Sequence, residues 1–232
     1  MRLFFISLFL ALPFFGLTQL GKEYKDKREM SAQQIVDMKK GALFVRIRNR
    51  SRQVESLKKY GHHKEAQEVA DKRAALNKKI ITAFTRNFKF CPVYFFYSGD
   101  SKFVRLQQYD SVKFVDSTLQ HVPSIRPNHE CYFTAELGKV LPDTARYFGG
   151  YYLAETENGL EKTPRYYKAA DSGFKAIVLK SNEFVQLTHP LPYYVRTFRA
   201  NPNLKKMLWY VKKLDLALHD YYDKVKASQL ER

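Results

Sequence analysis

Residues 91–97 read CPVYFFY, and this stretch decides the fold class. It is a continuous apolar run, rich in aromatic residues, and Ser98-Gly99-Asp100 ends it. Its length and composition suit a strand better than a helix. Apolar residues do not alternate with polar ones, so both faces must be covered, as in the centre of an α/β sheet. Pro92 is tolerated because it stands at the first positions of the run.

Upstream of this strand the pattern is helical. Ala66, Val69, Ala70, Leu76, Ile80, Phe84 and Phe88 form one stripe of a helix spanning 65–88, with charge opposite. At 1.5 Å per residue this helix is about 36 Å long. A shorter helix over 52–60 precedes it and stops at Gly61, which gives a helical hairpin of unequal arms. Before the hairpin, ALFVRI (42–47) reads as a strand. A helix over 31–40 leads into it, with Ser31 as its cap, Ile35 and Met38 inside and Gly41 at its end.

Downstream, residues 101–108 suit a short helix, 112–115 a strand, and 121–128 a Pro-bearing loop. CYFTAEL (131–137) is a further strand. FKAIVL (174–179) and EFVQL (183–187), joined by Ser181-Asn182, read as a β-hairpin. Leu204, Met207, Leu208, Val211, Leu214, Leu218, Tyr221, Tyr222 and Val225 recur at helical spacing, with Asn201 or Asn203 as the cap and Pro202 at a tolerated first-turn position. The fold class is therefore α/β: a mixed sheet with flanking helices, an N-terminal helical hairpin and a long C-terminal amphipathic helix. One domain spans 31–232, with a basic helical part (31–88), a mixed α/β body (89–200) and the last helix (201–232). A three-layer sandwich is one such architecture.

The chain begins with a different kind of segment. Met1-Arg2 is followed by LFFISLFLALPFF (3–15) and then by Gly16-Leu17-Thr18-Gln19. A basic start, an apolar centre and small residues before a polar sequence form the layout of a secretory signal peptide. The apolar part is shorter than the roughly 20 residues needed to span a bilayer. The expectation is a leader over 1–18, a charged and flexible lead-in over 19–30, and a mature protein that is periplasmic or secreted. Cys91 and Cys131 are the only cysteines. In an oxidising compartment such a pair is expected to form a disulfide. That bridge would close a loop of about 40 residues, worth roughly 3–4 kcal/mol.

The formal net charge is +17 over 232 residues. Residues 22–89 hold 19 Lys and Arg against 8 Asp and Glu, and residues 201–232 hold 7 against 4. Arg46, Arg48, Arg50, Arg52, Lys58, Lys59 and Lys64 fall within twenty positions. In an extended chain, arginines spaced by two share a face. Guanidinium groups engage phosphate and carboxylate in a two-pronged way that lysine cannot copy. The cluster reads as an anionic docking surface, or else as a solvated helical face that aids solubility. Outside the cytoplasm its partners would be an envelope protein, an anionic glycan or a lipid headgroup, and peripheral membrane contact remains open. Nucleic acid fits the charge but not the address.

Catalytic signatures are missing: there is no P-loop, GxGxxG, HExxH, GxSxG or CxxC. The six histidines, His62, His63, His121, His129, His189 and His219, show no ligand spacing, so neither metal nor cofactor is expected. His129 and Cys131 invite a Cys-His nucleophile reading, but without a third orienting group the disulfide is preferred. The 15% of aromatic residues suit an aromatic core or an exposed sugar platform. Two functions remain. One is a non-catalytic protein of the bacterial envelope that binds a partner protein or an anionic component through the basic surface. The other is an extracytoplasmic hydrolase whose site lies in 138–173. That segment is rich in Gly and Tyr, with Gly149-Gly150, Tyr151-Tyr152 and Tyr166-Tyr167, and carboxylates at Asp116, Glu130, Glu136, Asp143 and Glu155 are spread over the body.

Overall fold

The structure is a computed structural model and describes residues 27–129, 131–141, 151–156, 159–164, 174–199 and 201–230. The leader and most of the irregular stretch between 142 and 173 lie outside the described residues. So do Glu130, Asp143, Tyr147, the Gly149-Gly150 pair and Tyr166-Tyr167.

Helix α1 (Lys27–Lys40) runs directly into strand β1 (Ala42–Ile47). Residues 27–30, expected in a flexible lead-in, are therefore helical. Ser31 is not a cap; it is buried within the helix beside Ile35 and Met38. The abrupt turn depends on Gly41. A Cβ there would stand 2.2 Å from the carbonyl oxygen of Cys131, and only glycine permits that approach.

Every residue of β1 is buried except the half-buried Arg46, because β1 lies inside the sheet. The unequal helical hairpin follows, as α2 (Ser51–Lys59) and α3 (His63–Asn87). The chain returns through β2 (Val93–Tyr97), which pairs parallel to β1. A short helix α4 (Ser101–Arg105) and a two-residue strand β3 (Phe114–Val115) lead to β4 (Tyr132–Lys139), parallel to β1 on its other side. β5 (Tyr151–Thr156) and β6 (Gly159–Pro164) form a separate two-stranded ribbon. β7 (Lys175–Lys180) and β8 (Tyr194–Arg196) complete the main sheet, and α5 (Leu204–Leu230) closes the chain. The sheet order is β3-β2-β1-β4-β7-β8, with β3, β7 and β8 antiparallel to their neighbours.

Alternation along β1 separates two cores. Leu43, Val45 and Ile47 pack with α1, α3 and α5, where Ile35, Met38, Ile80, Phe84, Val211 and Leu214 are buried. Ala42 and Phe44 point to the opposite face, which α4 and the chain around β3 cover. Phe44 is the hub there, 4.5 Å from the Tyr132 ring, 5.4 Å from Phe114 and 5.6 Å from Tyr109. These aromatic residues build a core and not a platform.

Two further expectations are corrected. No disulfide joins Cys91 and Cys131. Leu43 faces Val93 and Ala42 faces Tyr132, so continuing both registers sets Cys91 and Cys131 on either side of Gly41. With strands about 4.8 Å apart, two strand spacings put the Cα atoms roughly 9.6 Å apart. A disulfide tolerates at most about 7 Å. The hairpin expected at 174–187 forms only a turn and the bridge Lys180↔Gln186, while the ladder partners of β7 are β4 and β8. Phe184 has a φ of +64°, incompatible with an extended strand, and its ring stands against Phe96 and under Arg46.

Candidate anion-binding site

The chain leaves β1 at Ile47 and is fastened at once. The Arg48 carbonyl accepts hydrogen bonds from Arg73 Nε and from Nδ2 of the buried Asn77, both at 2.8 Å. Arg50 then takes a left-handed conformation, φ 54° and ψ 28°, and redirects the chain into α2. Such a conformation costs a non-glycine residue about 1–2 kcal/mol. Its guanidinium donates to Gln53 Oε1 at 3.2 Å. These contacts fix the position of the first two residues of interest.

Arg48 and Arg50 line a cavity of about 570 Å³, with Lys72 and Arg73 from α3, Lys139 from the end of β4 and Lys175 from the start of β7. Val69, Leu76 and Leu137 give it apolar walls, and Gly138 and Asn201 complete it. Six cationic side chains meet here, and no carboxylate stands among the described residues that line the cavity. Lys139 and Lys175 are direct cross-strand partners. Like charges in that arrangement oppose each other and weaken the pairing. Burial, then the neighbouring charges of Arg48 and Arg50, push Arg73 down to about 10. It remains a cation at neutral pH, in a place short of negative charge.

The sheet topology explains why a cavity opens here. β2 and β4 flank β1 on opposite sides, and their crossovers run on opposite faces, α3 on one and α4 on the other. Open α/β sheets leave a crevice at the carboxyl ends of strands where the order reverses in this way. The ends of β1 and β4 are that place.

Among the described residues, two carboxylates stand next to the cavity without lining it: Glu68 on α3 pairs with Lys72 Nζ at 3.0 Å, and Glu136 is the second. Glu136 on β4 is buried and accepts hydrogen bonds from Lys180 Nζ at 2.6 Å and Arg46 Nη1 at 2.9 Å, while Arg48 Nη2 lies 3.7 Å away. Burial alone would raise its pKa. The Lys180 hydrogen bond and the charges of Lys180, Arg46 and Arg48 outweigh burial and hold it below the usual carboxylate value. A single negative charge is shared among three positive ones.

The seven basic residues marked by the sequence divide into three groups. Arg48 and Arg50 line the cavity. Arg46 turns to Glu136. Arg52, Lys58, Lys59 and Lys64 are exposed on the hairpin and do not line it. Lys72, Arg73, Lys139, Lys175 and Asn201 carry no local signal that marks them as site residues. Lys139 and Lys175 meet only through the antiparallel pairing of β4 with β7, which no local pattern announces.

The other candidates are occupied structurally. His129 Nε2 lies 3.4 Å from Tyr94 Oη, and its backbone N–H donates to Tyr132 Oη at 2.8 Å. Cys91 is buried, and burial is the largest cause raising its thiol pKa to about 12, which makes it a poor nucleophile. Asp116 accepts hydrogen bonds from Thr118 and Gln120 within its own turn. Among the described residues, no group of three or more His, Cys, Asp or Glu is placed to hold a metal, and no helix is long and apolar enough to cross a membrane. Comparison with family models, characterised proteins and solved structures finds no match to this chain.

Proposed function

We propose that the protein is a non-catalytic component of the bacterial envelope that binds an anionic, phosphate-bearing partner in the basic cavity at the ends of β1 and β4. The observation that carries this reading is the gathering of six cations with no lining carboxylate among the described residues, Lys139 set directly against Lys175. Lys72 is paired with Glu68 and Arg48 lies beside Glu136, so Arg50, Arg73, Lys139 and Lys175 are the charges that an entering anion would compensate. Three of the six are arginines, whose planar forks suit phosphate oxygens. The apolar leader supports an extracytoplasmic address, where anionic glycans and lipid headgroups are the prevalent partners.

Titration calorimetry with inorganic pyrophosphate tests the reading. The wild-type protein should bind, and Lys72→Ala/Lys175→Ala should weaken binding at least about tenfold, a loss of 1.4 kcal/mol. Both lysines are exposed enough for the fold to survive. Arg52→Ala/Lys59→Ala, on the exposed hairpin, should bind like wild type. No binding by the wild type, or an equal loss in the hairpin variant, would overturn the assignment.

A further inference from the structure

Helix α5 presents a second surface, separate from the cavity. Its inner face is buried through Met207, Tyr210, Val211, Leu214 and Leu218. Its outer face exposes Trp209 by 54% and Leu216 by 58%. At about 100° per residue these two side chains lie within about 20° of each other around the axis. Lys205 and Lys212 run along one flank and Lys206 and Lys213 along the other, all four exposed. Lys213 Nζ lies 5.4 Å from the centre of the Trp209 ring. The one acid in this stretch, Asp215, is turned inward, where it accepts the backbone N–H groups of Lys89 and Phe90 at 2.6 and 2.9 Å. The outer face over 205–216 thus sets two apolar side chains, about 10.5 Å apart along the axis, between two rows of lysine. Asp220 and Asp223, about one and two turns further on, end it.

We propose that this face docks the protein on an anionic phospholipid bilayer. The helix lies along the headgroup plane, Trp209 and Leu216 reach the acyl boundary, and the four lysines engage lipid phosphates. The composition selects this occupant over a protein. Lysine is depleted at protein interfaces, and two apolar side chains supply little of the roughly 800 Å² per partner that a stable one buries. Tryptophan and lysine beside an apolar ridge is the pattern of helices that lie in the membrane interface. The opposite face of α5 is committed to the core, so only side-chain tips enter the bilayer. Contact is therefore peripheral and reversible.

Trp209 is the only tryptophan of the chain, so intrinsic fluorescence reads this face directly. The protein in its exported form is titrated with vesicles of phosphatidylglycerol mixed with phosphatidylcholine, and with pure phosphatidylcholine. Emission should shift to the blue on the anionic vesicles and be quenched by brominated lipid, with affinity at least about tenfold weaker on the neutral ones. Leu216→Asp and Lys212→Glu/Lys213→Glu alter exposed positions only and should abolish the shift while keeping pyrophosphate binding. Lys72→Ala/Lys175→Ala should dock on vesicles like wild type, which separates this surface from the cavity. Unchanged Trp209 emission on anionic vesicles would overturn the proposal. So would co-sedimentation that survives both α5 variants but is lost with the cavity variant, because lipid headgroups would then be entering the cavity.

Discussion

At Glu136 two opposed effects meet. Burial disfavours the charged carboxylate, while Lys180, Arg46 and Arg48 favour it, and the cations prevail. A folded-state pKa below the unfolded value of 4.5 means that ionised Glu136 contributes stability above that pH. The contribution is lost as pH falls through the folded pKa. Glu136→Gln should therefore destabilise the protein by about 2–3 kcal/mol near neutral pH. This lies below the usual cost of breaking a fully buried pair because Arg46 keeps part of its side chain in water. The gap should narrow steadily below pH 4.5. Urea denaturation at neutral and acidic pH measures it, and a gap independent of pH would refute the electrostatic account. The spacing of Arg46, Arg48 and Arg50 is legible in the sequence. That Arg46 spends its charge on Glu136, ninety residues away, is not, because the pairing follows from the register of β1 with β4.

Among the elements, the junction of α1 with β1 is the least tolerant. Gly41 connects them with no spare residue, and a side chain there would meet the backbone oxygen of Cys131, which cannot rotate away. Gly41→Ala should cost about 2–3 kcal/mol through forced backbone displacement. Gly99→Ala, where nothing lies within 4 Å, serves as the control and should stay near wild type. Equal melting temperatures for the two variants would show that the junction yields. Elements with strong periodicity are legible in the sequence: α3 and α5 from their stripes, β1, β2, β4 and β7 from their apolar runs. Asn203 is the cap of α5, its Oδ1 accepting the N–H of Lys206 at 2.9 Å. β8 escapes sequence reasoning because three residues carry no pattern. The segment at 183–187 misleads it because a positive φ at Phe184 overrides a strand-like composition.

For the whole molecule, the central place of β1 governs the cysteines. The chain crosses from β2 to β4 past β1, so the two sulfurs sit just before strands that are not neighbours. Thiol titration of protein purified without reductant should find two thiols per chain after denaturation. In the native state Cys91 should react far more slowly, since burial suppresses its thiolate. A chain with no titratable thiol would contradict the strand order itself.

The two outermost strands have a consequence for how this protein behaves in a crowd. β3 offers two residues of backbone at one margin and β8 three at the other, whereas the six and eight residues of β1 and β4 are sealed within. A foreign chain seeking to extend the sheet finds almost no unpaired amides to template on. With Arg196 at the β8 margin adding charge, extension of the main sheet from one copy to the next is discouraged by geometry before solubility is considered.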